Sequence, residues 1–276
     1  MQLQFSKMHG LGNDFMVIET IHQSFQLNAA LIRQWSDRHT GIGFDQLLLV
    51  EPTQRDDADF RYRIYNADGG EVEHCGNGAR CFARFVQDTG LTDKTHITVE
   101  TMRGVIVLET MQDGQVQVDM GIPDFEPASL PFSASSRQQH YDLQLNSETL
   151  AIGAVSMGNP HAVMLVEDIT RAPVSSLGPQ IESHPDFPNR VNAGFMQIVD
   201  EHTISLRVHE RGAGETLACG TGACAAVAVG RAWGKLATPV TVQLAGGTLA
   251  IDWPGPGSSM MMTGPASHVF DGEIEV

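Results

Sequence analysis

Short alternating runs of apolar and polar residues recur along the chain. Gln115 to Met120 (QVQVDM) and Thr203 to Val208 (TISLRV) alternate with period two. Ile97 to Val99, Val105 to Leu108, Val240 to Leu244 and Thr248 to Ile251 read as short half-buried strands. Two helices break the pattern, Asn77 to Asp88 and Thr221 to Trp233; each opens directly after a Cys-Gly pair and each is closed by a glycine, Gly90 and Gly234. The second, TGACAAVAVGRAW, is apolar nearly all round, which predicts a helix enclosed by sheet and not one lying on a surface. A third helix is expected from Asn28 as N-cap to about Arg38, where Thr40-Gly41 stops it. Pro123, Pro127 and Pro131 mark Ile122 to Ser136 as a crossing between halves, and Pro254 to Gly257 predict a tight late turn.

The pattern is duplicated, and the repeat fixes which residues are structurally equivalent. Tyr65 to Cys81 (YNADGGEVEHCGNGARC) aligns with His209 to Ala225 (HERGAGETLACGTGACA) at a constant offset of 144, so that Cys75-Gly76-x-Gly78-Ala79 meets Cys219-Gly220-x-Gly222-Ala223. GNDFMVIE from Gly12 resembles GNPHAVMLVE from Gly158 at an offset of 146, and FDQLLLV aligns with VNAGFMQIV at 146 again, placing Gln46 opposite Asn192. The expected fold class is therefore α+β: two homologous strand-rich domains, each a sheet wrapped around a central helix, pseudo-twofold related with the active site in the cleft between them. The boundaries expected are 1–121, completed by a last strand at 265–276, and 122–264.

Composition narrows the function. A chain of 276 residues suits two domains of ~100–200 residues each. Seventeen Lys+Arg against 33 Asp+Glu, a formal charge of −16, repels nucleic-acid backbones and anionic lipid surfaces, so neither is expected as a partner. The apolar runs fall far short of the ~18–20 residues of a membrane span. MQLQFSKMHG has no signal-peptide apolar region, and the location expected is cytoplasmic. Four cysteines are too few for a disulfide scaffold.

Of the cysteines, Cys75 and Cys219 are in register, whereas Cys81 falls opposite Ala225 and Cys224 opposite Arg80. A lone free cysteine is most often a small buried core residue. A Cys-Gly-x-Gly-Ala turn that occurs twice in register points instead to two thiols at helix N-termini, where unpaired N–H groups and the macrodipole favour the thiolate. The Cys75/Cys81 and Cys219/Cys224 spacings fit zinc poorly, so no metal is expected, and Cys81 and Cys224 read as core. Two acid/base thiols suit stereoinversion, which removes a proton from one face of a carbon and returns one to the other. The glycine-rich turns can stabilise carboxylate charge through backbone N–H groups.

Phe5 to Phe15 (FSKMHGLGNDF), Asn66 to Arg80 (NADGGEVEHCGNGAR), Gly158 to Val163 (GNPHAV) and His209 to Ala223 (HERGAGETLACGTGA) together resemble the diaminopimelate epimerase family over essentially the whole chain. The resemblance implies interconversion of LL- and meso-2,6-diaminopimelate in lysine and peptidoglycan precursor biosynthesis, with no cofactor (neither pyridoxal phosphate nor metal), by a homodimer. It makes Cys75 and Cys219 the acid/base thiols, assisted by His161 and Glu210. It gives substrate binding to Asn13, Gln46, Asn66, Gly76, Asn77, Asn159, Asn192, Glu210, Arg211, Gly220 and Thr221. Amides suit a substrate with two ammonium and two carboxylate groups because they both donate and accept, and Arg211 suits a carboxylate through its fork of parallel donors. The chain departs from the family at Gly70, usually Ser, at His74, commonly Gln or Met, and at Phe270, where some members have a tyrosine linked to dimer contacts. Two rival readings are a proline or hydroxyproline type racemase of the same superfamily, disfavoured because no Ser-Pro step precedes Cys219, and a non-enzymatic thiol redox or binding protein.

Overall fold

The computed structural model describes residues 2–72, 75–145 and 148–276, so His74 lies outside the described residues. The chain forms two compact units, Met1–Asp119 with Thr263–Val276, and Met120–Met262.

The first unit contains β1 (Gln2–Gly10), β2 (Asn13–Glu19), α1 (Ala29–Ser36), β3 (Gln46–Glu51), β4 (Phe60–Asn66), β5 (Glu71–Val72), α2 (Gly76–Asp88), β6 (His96–Thr101), β7 (Gly104–Thr110) and β8 (Val116–Asp119). The second contains β9 (Tyr141–Gln144), β10 (Thr149–Ser156), β11 (Pro160–Leu165), α3 (Val174–Glu182), β12 (Asn192–Asp200), β13 (Thr203–Glu210), β14 (Gly214–Thr216), α4 (Gly220–Ala232), β15 (Val240–Leu244) and β16 (Gly247–Asp252). After β17 (Met261–Gly264), β18 (Ser267–Glu275) returns to the first unit and pairs antiparallel with β1, Leu3 opposite Ile274.

Pairing inside the two units is the same. β2 and β3 run parallel with Phe15 opposite Gln46, and β11 and β12 run parallel with His161 opposite Asn192, the positions 146 residues on. Tyr65 faces Glu71 between β4 and β5 as His209 faces Glu215 between β13 and β14. β4 then runs parallel to β6, as β13 does to β15. In each unit a helix crosses over between the parallel strands, α1 in one and α3 in the other, as a parallel pair requires.

Each sheet is covered on both faces, which explains apolar runs such as Leu47 to Val50 that do not alternate. On one face of the first, Ile32 and Trp35 of α1 pack with Met16, Leu47 and Leu49. On the other lies α2: Phe82 meets Tyr62 edge to face, and a Cβ on Gly78 would touch Tyr62, Leu48 and Phe15. In the second unit α3 packs Val174 and Ile181 with Ala162, Ala193 and Phe195, while α4 is buried from Gly222 through Gly230, as its apolar circumference requires. Cys81 and Cys224 are fully buried core residues.

Four elements depart from the pattern reading. α1 stops at Ser36, before Arg38, because Asp37 leaves helical geometry and its carboxylate takes the His39 and Thr40 N–H groups. α2 and α4 start one residue early, at Gly76 and Gly220, with the cysteines themselves as N-caps. α3 was not expected, since Gly178 and Pro179 sit inside it. Gly178 is there for space: a Cβ would lie 2.6 Å from the His209 ring on β13. Among the described residues no helix is long and apolar enough to cross a membrane.

Candidate active site

The repeated topology brings most of the expected residues of each unit to one end of its sheet. In the first unit Gly12, at φ 89°, turns β1 into β2 and delivers Asn13 at the strand start; Gly158, at φ 86°, does the same for Asn159. Glycine occupies this left-handed conformation without a Cβ penalty. Gln46 opens β3, Asn66 ends β4 opposite it, and Cys75 caps α2.

These side chains fall into two hydrogen-bonded groups, Gln46 with Asn66 and Asn13 with Cys75, Asn77 and Asp45. Gln46 Nε2 donates to Asn66 Oδ1 at 2.8 Å. Asn13 Oδ1 accepts from Asn77 Nδ2 at 3.3 Å and from the Cys75 thiol at 3.6 Å, while Asn13 Nδ2 donates to Asp45 Oδ2 at 3.1 Å. Gln46 Oε1 is buried with no protein partner among the described residues. A buried acceptor in that state costs roughly 1–3 kcal/mol, so a ligand donor such as an ammonium group is favoured there.

Several residues that hold this cluster were not picked out from sequence. Arg80, fully buried in α2, donates to Asn77 Oδ1 (3.0 Å), to the Gly76 carbonyl (3.3 Å) and to the Pro265 carbonyl (3.0 Å). Asp14 accepts two bonds from Arg38 and one from Lys7 at 2.6 Å, and Arg38 reaches Asp45 at 2.8 Å; Lys7 also donates to the Gly43 carbonyl. Burial alone would raise the Asp14 carboxyl, but the Arg38 and Lys7 bonds outweigh it and hold the group well below the carboxylate range. The only sequence signal was a charge at position 80, where the repeat places Cys224.

In the second unit Cys219 is buried and caps α4, its sulfur accepting from Gly222 N–H at 3.3 Å and lying 3.6 Å from Thr221 Oγ1. Its thiol hydrogen bonds to the Glu210 carboxylate, which Thr216 Oγ1 also reaches. The helix N-terminus favours a thiolate, yet the Cys219 thiol is pushed well above its ordinary range. Burial is the main cause and the Glu210 charge the next, against the weaker pull of Thr221 and Gly222. The expectation of a readily ionised thiol is corrected here: this sulfur needs a base beside it, and Glu210 is placed as one.

His161 is buried behind this cluster, and burial, aided by the Arg211 charge, lowers its imidazole to about 3. It is neutral, and its Nε2 lies 3.0 Å from Asn159 Oδ1 while Asn159 Nδ2 donates to Thr221 Oγ1 at 3.3 Å. Asn192 uses both ends of its amide internally, donating to the Pro160 carbonyl and accepting Arg211 N–H, each at 2.9 Å. It thereby shapes the exposed Arg211 loop, where the guanidinium rests on the Asn189 carbonyl at 3.1 Å.

Two strand-rich units of one topology define a duplicated fold shared with solved epimerase and racemase structures. A hydroxyproline epimerase from Agrobacterium vitis matches with a TM-score of 0.72 at 17% identity, over 99% of this chain and 92% of that one. A phenazine biosynthesis protein of the PhzF family from Bacillus anthracis matches at 0.68 and 17%, over the whole of both chains. The sequence goes further than the fold. A profile described as Diaminopimelate epimerase matches residues 5–126 and 153–269. The diaminopimelate epimerases of Chromobacterium violaceum and Pseudomonas entomophila are 61% and 58% identical over 276 residues, all of this chain and all of theirs. The chain belongs to the diaminopimelate epimerase family.

Proposed function

We propose that this chain interconverts LL- and meso-2,6-diaminopimelate without a cofactor, in the biosynthesis of lysine and peptidoglycan precursors, with Cys75 and Cys219 as its acid/base pair. The observation that carries the reading is that each unit caps its long central helix with a cysteine, at equivalent positions, beside equivalent asparagines Asn13 and Asn159. One sulfur, as thiolate, takes the α-proton; the other, as thiol, gives its proton to the opposite face, and the two end with protonation states exchanged. Charge developing on the substrate carboxylate is met by the N–H groups of the first turns of α2 and α4, at Gly76-Asn77 and Gly220-Thr221. Asn13, Gln46, Asn66, Asn159, Asn192 and Arg211 bind the substrate, Gln46 through its open acceptor; Glu210 also binds it and serves Cys219 as proton acceptor. His161 assists as a neutral hydrogen-bond donor that orients Asn159.

The reading includes a homodimer in the cytoplasm, supported by exposed Val269 and Phe270 on β18, which sedimentation tests. The activity is tested by chiral chromatography of LL-diaminopimelate, L-proline and trans-4-hydroxy-L-proline, each incubated with the protein alone. Meso product from the first and no isomer from the others is expected. Turnover of proline or hydroxyproline alone would move the chain to the neighbouring racemase type, and no turnover at all would leave a thiol binding protein.

A further inference from the structure

Set against its copy 144 residues on, the stretch 60–88 shares with 204–232 the Cys-Gly-x-Gly-Ala turn, a glycine (Gly70, Gly214) and two charges, Arg63 with Arg207 and Glu71 with Glu215. No other charged position in this stretch agrees, and in each unit the two shared charges meet. Arg63 donates from Nε and Nη2 to the two oxygens of Glu71, both at 2.8 Å; Arg207 donates from the same two atoms to Glu215 at 2.6 and 2.9 Å. Two parallel bonds to one carboxylate are the strong form of an ion pair, and with all four side chains only 28–34% exposed the solvent that weakens a surface pair is partly excluded.

Strand register determines what this fork holds. Glu71 lies opposite Tyr65 and Glu215 opposite His209, so the arginine two residues before each is the diagonal neighbour on the same face. Asn66 and Glu210, one residue further on, belong to the other face. There Tyr62 meets Phe82 of α2, and a Cβ on Gly222 of α4 would lie 3.0 Å from Val208, so this face looks to the cysteine-capped helix. β5 has two residues and β14 three, too few for ladder bonds alone to hold them firmly. Each leads to its cysteine, four residues after the glutamate. In the second unit Thr216, next to Glu215, donates to the Glu210 carboxylate that accepts the Cys219 S–H; in the first, Asn66 N–H donates to the Gly70 carbonyl at 2.9 Å.

We propose that Arg63 with Glu71 and Arg207 with Glu215 are positioning residues, each pair bracing the hairpin of its own unit from behind and so setting Asn66 or Glu210 and the strand that leads into the cysteine. The assignment rests on the reading of Asn66 and Glu210 as substrate residues. A third fork in the chain serves as a control. Arg55 makes the same two bonds to Asp57, each at 2.8 Å, but the two stand in one exposed loop and join no strands. By the repeat they correspond to Val199 and Glu201, so the second unit has no such pair there.

The test is amide hydrogen exchange, by mass spectrometry of the intact substrate-free protein, read together with kcat/KM for diaminopimelate. Glu71 and Glu215 each give both oxygens to their arginine, so Glu71→Ala or Glu215→Ala removes one fork and leaves the other. In Glu71→Ala the exchange of β4–β5 peptides is expected to rise about tenfold with β13–β14 peptides unchanged, and in Glu215→Ala the reverse. Misplacing the residues each hairpin carries should lower kcat/KM about tenfold in either variant, whereas Asp57→Ala should leave both hairpins and turnover as they are. A loss of global stability speeds exchange in both hairpins alike. If an alanine variant does not fold, Glu71→Gln or Glu215→Gln retains one of the two bonds, and a smaller rise in the same hairpin is expected. Unchanged exchange in the hairpin whose fork is cut, equal rises in both hairpins, or a loosened hairpin with kcat/KM intact overturns the proposal. Exchange is read without substrate, so hairpins that respond as expected in a chain whose unaltered form leaves diaminopimelate unchanged contradict the functional reading and not this one.

Discussion

In the first unit the Cys75 sulfur, half-buried, faces the amide oxygen of Asn13 at 3.6 Å; in the second the Cys219 sulfur, buried, takes Gly222 N–H at 3.3 Å and bonds to the Glu210 carboxylate. The backbones that hold them are copies, down to the register of the parallel strands. Duplication therefore fixes where the two sulfurs stand relative to their own sheets, and side chains that are not copies set what each sulfur does. A reaction that swaps one proton between faces needs this inequality at its start, since two thiols or two thiolates leave one role unfilled.

The harshest way to break the comparison is to delete either sulfur. Cys75→Ala and Cys219→Ala should each lower epimerisation by about 10³-fold or more, within the range for losing a positioned acid or base, with near-native circular dichroism. Near-normal turnover in either removes that thiol from the chemistry. Glu210→Gln should reduce turnover by about 10²-fold, because Cys219 loses its proton acceptor, while iodoacetamide labelling of Cys75 stays at the level of the unaltered protein. A parallel change at Cys75 would make the two clusters one electrostatic unit.

His161 sharpens the contrast through stability. Its imidazole is held down to about 3 by burial in the folded chain, against an ordinary 6.5. Between these values the unfolded chain binds a proton that the folded one refuses. Stability contributed by the neutral ring is thus present above about pH 6.5 and falls by up to ~1.4 kcal/mol per pH unit as pH drops toward 3. Urea unfolding at pH 7, 6 and 5 should display that slope, and His161→Gln should flatten it. The smallest effect is expected at the unregistered cysteines: Cys81→Ala or Cys224→Ala should cost about 1–2 kcal/mol through the cavity left and leave turnover intact. Cys81, pushed up to about 12 by burial, should not label at neutral pH.

How much of this was legible in the sequence follows from the range of the interactions. The helices at Cys75 and Cys219, the strands around them and the equivalence of Gln46 with Asn192 are read from local periodicity and an internal repeat, both properties of the chain itself. α3 was hidden because Gly178 answers to the His209 ring, a neighbour 31 residues away in sequence. The Asp14–Arg38–Asp45 cluster and the Arg80 fork were hidden for the same reason, since their partners are brought together only by folding. The ionisation of Cys219 was misjudged because a helix terminus is visible in sequence whereas depth of burial and the nearby Glu210 are not.

The most direct measurement follows LL-diaminopimelate in heavy water with the unaltered protein, read by NMR and mass spectrometry before appreciable reversal. Two thiols serving opposite faces deliver a solvent-derived hydron to the carbon they invert, so the meso product should carry one deuterium at that centre while the unreacted LL substrate still carries protium. Meso product retaining the original protium, or deuterium washed into LL substrate as fast as product forms, would mean that a single base works both faces and would contradict the division of labour between Cys75 and Cys219.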